Sequence, residues 1–223
     1  MYLRHAATIL FTIALGACAS GSRLEEAPNR KENLTTWIEK VHIEAGRSRD
    51  SIAESYERLQ MLASGEYPQG DAAMAYAQFV QSIDIAETQA TRFREVVEPL
   101  ASAAAPVFEQ WAQDVQTIGN ERLRTRGELS MTVSKERYEA VLASANDARE
   151  QFNGFVQDLR DHAAFLAHDL NPRALDEIQE DVKMVRNNAE KLDQELDRTL
   201  TAARAYVDLN ALPAQGSPAS PNR

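Results

Sequence analysis

The chain has 223 residues with Gly 9, Pro 8, 7% aromatic, 43% hydrophobic and 26% charged. It is short of the turn formers a β-sandwich needs and is composed like an Ala-, Glu- and Arg-rich helical protein. Its 24 Lys and Arg against 34 Asp and Glu leave a net charge of −10, or −11 once Arg4 departs with a signal peptide, which argues against a nucleic-acid surface.

Arg4 and His5 precede an apolar run over residues 6–15, too short to span a bilayer and proportioned like a signal-peptide core. The run ends Leu15-Gly16-Ala17-Cys18, which resembles the lipobox of bacterial lipoproteins. The resemblance implies removal of residues 1–17 and acylation of Cys18 by fatty chains of the palmitate kind, two or more of which anchor stably. Ala19 and Ser20 follow without the Asp that commonly retains such proteins at the inner membrane, implying the periplasmic face of the outer membrane. The alternative is an ordinary secretory signal with an incidental Cys. Cys18 is the single cysteine, so no internal disulfide forms. Residues 18–30 are small and polar with Pro28 and are expected as a flexible tether; residues 213–223, with three prolines, are expected as a disordered tail.

The domain is expected over residues 31–212. In its first segment Leu34, Ile38, Val41, Ala45, Ile52, Leu59 and Leu62 recur at three- and four-residue steps, and Thr36 with Glu39 forms a capping-box pattern. Residues 65–70 (GEYPQG) stop this helix, and Asp71 caps the next. There Ile83, Ala90, Val97, Ala104, Trp111 and Ile118 repeat every seven residues, interleaved with Phe93, Leu100 and Val107, up to Gly119-Asn120. Pro99 and Pro106 are expected to kink this helix without ending it; the alternative is a non-helical joint over residues 101–105. The third segment carries Tyr138, Ala145, Phe152, Leu159 and Leu166, with Val141, Ala148 and Phe155 between them. Asn171-Pro172 starts the fourth, where Asn is a favoured N-cap and Pro suits the first helical position. That helix runs through Leu175, Ile178, Val182, Val185, Ala189, Leu192, Leu196 and Ala203 without Gly or Pro. The fold class is therefore all-α: an elongated antiparallel helical bundle or coiled coil of about four long helices.

Residues 161–175 (DHAAFLAHDLNPRAL) resemble the signature of a proteobacterial family, domain-of-unknown-function family 2959, through Asp161, Phe165, Leu166, His168, Leu170 and Asn171, followed by Ala174 and Leu175. Phe108-x-x-Trp111 and Asn120-x-x-Leu123-Arg124 resemble it in the same order. The similarity covers most of residues 31–210 and implies a periplasmic or lipoprotein helical domain of unassigned activity; Pro99 and Pro106 depart from its plain helix.

Motifs of chemistry are few. There is no Gly-x-Gly-x-x-Gly, phosphate loop or His-Glu-x-x-His. His162 falls in the heptad row of Phe155, one turn after Asp158, and a His and carboxylate at that spacing hold a metal only with further ligands. The plainer reading is a hydrogen-bonded interfacial His. His168 ends the third helix, where capping is the plainer role. Trp111 reads as core, or as a contact residue for another chain if its helix is exposed there. Arg122, Arg124 and Arg126 form the basic cluster, a solvated turn or a contact for acidic headgroups or an acidic partner. Segments of about 34, 48, 48 and 37 residues imply that helices 1 and 4 stop short, leaving residues from about 106 to about 131 as a two-helix tip within reach of the lipidated N-terminus.

No catalytic residue, cofactor or metal is expected. The reading is a non-enzymatic envelope lipoprotein, an interaction or structural module held at the outer membrane by its lipid and meeting an envelope protein partner or a second copy of itself. The alternatives are a small-ligand or metal-binding periplasmic bundle and a periplasmic chaperone.

Overall fold

A computed structural model describes the backbone of residues 19–67 and 71–210, with side chains at Arg30 and from Asn33 onward. The signal segment 1–17, Cys18 and the tail from residue 213 lie outside the described residues. The elements are α1 (Ala19–Ser64), α2 (Ala72–Gln116), α3 (Glu121–His168), α4 (Pro172–Glu177) and α5 (Gln179–Asn210), with no strand among the described residues.

The apolar positions of α1 named above are all buried. Its beginning corrects two expectations: the helix starts at Ala19, so the backbone of residues 19–30 is helical where a flexible tether was expected, and Thr36 and Glu39 lie mid-helix where no cap is needed. Leu24, Glu25, Glu26 and Ala27 are good helix formers and extend the register already set by the packed part. Gly65, at φ 73°, ends the helix in the left-handed region that favours glycine, and its N–H donates to the Leu62 carbonyl at 3.3 Å.

Asp71 caps α2, its carboxylate accepting from the Met74 N–H at 3.0 Å. The helix continues through Pro99 and Pro106. Each proline deprives the carbonyl four residues back of its donor, and Glu95 and Ser102 both lie on the exposed side, where water replaces it. The buried row drifts after Ala104 from Trp111 and Ile118 to Phe108 and Val115, because a straight helix gains about 20° per heptad on a seven-residue repeat. Trp111 is accordingly half-buried at the core's edge, stacked on Phe108 with ring centroids 6.3 Å apart.

Asn120 caps α3, accepting from the Leu123 N–H at 3.2 Å, and every α3 core position named above is buried, apart from the half-buried His162. Asn171 caps α4, accepting from the N–H groups of Arg173 and Ala174 at 3.0 Å each, with Pro172 in the first turn. The fourth helix is divided at Ile178, not continuous. There the Gln179 side chain donates to the Ala63 carbonyl at 2.6 Å and to the Leu175 carbonyl at 3.4 Å, tying the end of α1 to the start of α5.

α1 packs between α2 and α5, α3 likewise, and the diagonal pairs barely meet, so the bundle is up-down-up-down around one core. The α1–α5 register keeps step throughout: the His42 ring donates to the Leu200 carbonyl, Arg49 binds Asp193 and Asp197, and Ala63 faces Gln179. Small residues are buried on both α1 and α2, Ser48, Ser51 and Ser55 on the one and Ser82, Ala86 and Ala90 on the other, and each buried serine hydroxyl donates to a carbonyl of its own helix.

Candidate functional site

Both turns of the family-like motif end, between α1 and α2 and between α3 and α4, lie together, and the motif residues divide between structure and surface. Leu166 is fully buried, Leu170 packs against the core and Asn171 is the cap just described. The Asn171 amide also donates to the Asp169 carboxylate, and the Tyr76 hydroxyl donates to the Ala163 carbonyl at 2.9 Å, binding α2 to the end of α3. Asp161, Phe165 and His168 are exposed, with Asp161 receiving the Gln157 amide at 2.8 Å. These residues build a turn, and of them Asp161 and Phe165 border a common hollow.

His162 does not pair with the Asp158 carboxylate. Its Nδ1 donates to the Asp158 backbone carbonyl at 2.7 Å, while that carboxylate accepts from Asn188 on α5 at 2.9 Å. The His162 Nε2 is buried without a hydrogen-bond partner. Beside it Asp161, Phe165, Glu177, Ile178 and Asp181 line a shallow hollow of about 390 Å³. Among the described residues no three His, Cys, Asp or Glu side chains are grouped as a metal ion requires.

The opposite end holds the arginine cluster. The α5 helix ends at Asn210, whose side chain accepts from the buried Ser134 hydroxyl at 2.8 Å. Tyr138 and Tyr206 are buried in the same layer, and burial, reinforced by the Tyr138 charge, pushes the Tyr206 hydroxyl up to about 12. Beyond this layer no described residue of α5 stands beside α3, and no residue from 121 to 133 is buried. Helix 4 stops short as expected, but helix 1 does not: Arg30 meets Asp114 at 3.7 Å and α1 continues to Ala19, so the tip is not a two-helix projection. Arg122 and Arg126 are exposed, Arg124 is half-buried, and among the described residues none of the three makes a side-chain hydrogen bond or ion pair. Sequence reading missed that Leu123 and Leu129, between and after these arginines, are 49% and 64% exposed; the signal available was that neither continues the heptad row that begins at Tyr138.

The architecture defines the class: a long four-helix bundle with one continuous core and two structurally distinct ends. The chain belongs to the family described as Protein of unknown function (DUF2959), whose model matches residues 25–209. No curated protein and no solved structure matches the chain. No described helix is long and apolar enough to cross a membrane.

Proposed function

We propose that the protein is a lipid-anchored helical module of the bacterial cell envelope, held at the outer membrane through Cys18 and serving as a rigid non-enzymatic interaction or structural element. The observation that carries this reading is the lipobox-like Leu15-Gly16-Ala17-Cys18, followed without a gap by a helix that begins at Ala19 and runs unbroken into the bundle. An acyl group on Cys18 would then join the rod almost directly.

Metabolic labelling with a fatty-acid probe and membrane fractionation test the anchor. The parent chain takes the label and sediments with outer membrane; Cys18→Ser loses both or stays uncleaved. A Cys18→Ser chain that fractionates as the parent does overturns the reading.

One observation favours a small-ligand alternative: the hollow of about 390 Å³ next to the buried, unpartnered His162 Nε2. Native mass spectrometry and elemental analysis of the purified protein test it, and a mass equal to that of the acylated chain alone removes it.

A further inference from the structure

Among the described residues, the first turns of α3 carry an unpartnered face of mixed character. At 100° per residue Arg122, Arg126 and Leu129 fall within one narrow stripe and Leu123 stands about 60° to one side of it, whereas Arg124 lies on the other side with Gly127 and Met131. Burial agrees: Arg122, Leu123, Arg126 and Leu129 are exposed, and Arg124, Gly127 and Met131 are not. A Cβ on Gly127 would stand 3.1 Å from the Val115 side chain, which marks that side as the one held against α2.

The height of this face relative to the chain's N-terminus follows from two contacts. Arg30 is level with Asp114, and Ala19 lies about 16 Å further along α1 at 1.5 Å per residue. Gln116 donates to Glu128 at 3.1 Å, which places Arg122 about 9 Å beyond that level in the same direction. The start of α3 thus comes within about 10 Å of the level of Ala19, roughly one Debye length in physiological salt. Over residues 121–130 three arginines stand against Glu121 and Glu128, a local excess of positive charge in a chain whose net charge is −10.

We propose that this face docks on the anionic phospholipid headgroups of the membrane that holds the chain, Arg122 and Arg126 binding phosphates and Leu123 and Leu129 entering the interface. The negative remainder of the rod is repelled by the same surface, so docking stands the bundle on its α2–α3 end. The inference uses the anchoring reading above only to bring the face to the membrane.

Hydrogen–deuterium exchange of the full chain mixed with vesicles tests it, comparing pure phosphatidylcholine with phosphatidylcholine containing one-third phosphatidylglycerol. Flotation on the neutral vesicles reports the lipid anchor independently. Amides of residues 121–130 are expected to exchange severalfold more slowly on the anionic vesicles, and those around Met184 to be unchanged. An Arg122→Gln/Arg126→Gln double variant, changed only at exposed positions, is expected to lose this protection while still floating on neutral vesicles. Flotation with no added protection overturns the docking face and leaves the anchor standing; protection with no flotation on neutral vesicles supports the face and overturns the anchor. Neither signal overturns both. Protection that survives in the double variant also overturns the face, as does protection that appears only when a protein partner from the envelope is added.

Discussion

Asn171 shows how one side chain sets a turn. Its oxygen satisfies two backbone N–H groups at 3.0 Å while Pro172 supplies the φ of the first helical residue. Asn171→Ala is expected to cost on the order of 1 kcal/mol, read as a lower midpoint in equilibrium denaturation. Tyr206 acts through its proton. With its pKa raised to about 12 from the ordinary tyrosine value of 10.0, the folded chain keeps a proton that the unfolded chain loses above about pH 10. The associated stability is fully present below pH 10 and is lost as pH rises through 12. Because a two-unit shift corresponds to at most about 2.7 kcal/mol and the folded chain is only half titrated at pH 12, we expect a fall of about 2 kcal/mol between pH 9 and 12. Denaturation in the parent and in Tyr206→Phe checks this, the variant losing that part of the slope.

At the scale of the element, α2 tests how a bundle tolerates proline. The helix persists because its neighbours bury Val97, Leu100, Ala104 and Phe108 around the two prolines, and because the freed carbonyls face water. Pro106 is exposed, so Pro106→Ala is expected to restore one backbone bond without disturbing the core and to stabilise the chain by on the order of 1 kcal/mol, somewhat less than the intrinsic difference because the unfolded chain also gains freedom. A higher midpoint in urea would bear this out; a lower one would mean that the proline itself is needed for packing. The α1–α5 pair is held differently. Arg49 grips Asp193 with two bonds, at 2.6 and 2.9 Å, and reaches Asp197 with a third at 3.0 Å. The Asp193 hydrogen bond, working against partial desolvation, raises the Arg49 pKa further. Lysine cannot reproduce the fork, so Arg49→Lys is expected to cost up to about 1 kcal/mol, with salt reducing the difference.

For the whole molecule, helices of 46, 45 and 48 residues make a rod about 70 Å long. A uniform rod of that length and bundle thickness has a radius of gyration of about 22 Å, against about 17 Å for a compact domain of this chain length. Small-angle X-ray scattering distinguishes the two, and a value near the compact one would mean the helices fold back on themselves. The shorter α5, of 32 residues, uncovers one end. Four helices surround the core from the Gln179–Ala63 bond to the Ser134–Asn210 bond; beyond the latter, among the described residues, α1, α2 and α3 remain. The two ends therefore differ in kind: one closed by turns whose side chains bond to the core helices, the other open and bearing exposed arginine and leucine.

The helical class, the core faces of all four segments and the caps at Asp71 and Asn171 were legible in the chain itself, because helix periodicity and capping depend on residues three and four apart. The family followed from a local pattern for the same reason. What the sequence left open depends on neighbours distant in the chain. Continuity of α2 through two prolines was decided by the partners that bury its flanks, and the helix from Ala19 by an extension whose nucleus is the packed segment after it. The division at Ile178 came with Gln179 reaching across to Ala63, a contact between residues more than a hundred apart. The exposure of Leu123 and Leu129 follows from where α5 ends relative to α3. Periodicity names the face a helix buries, but only the lengths and register of the assembled helices determine where that face runs out of partners.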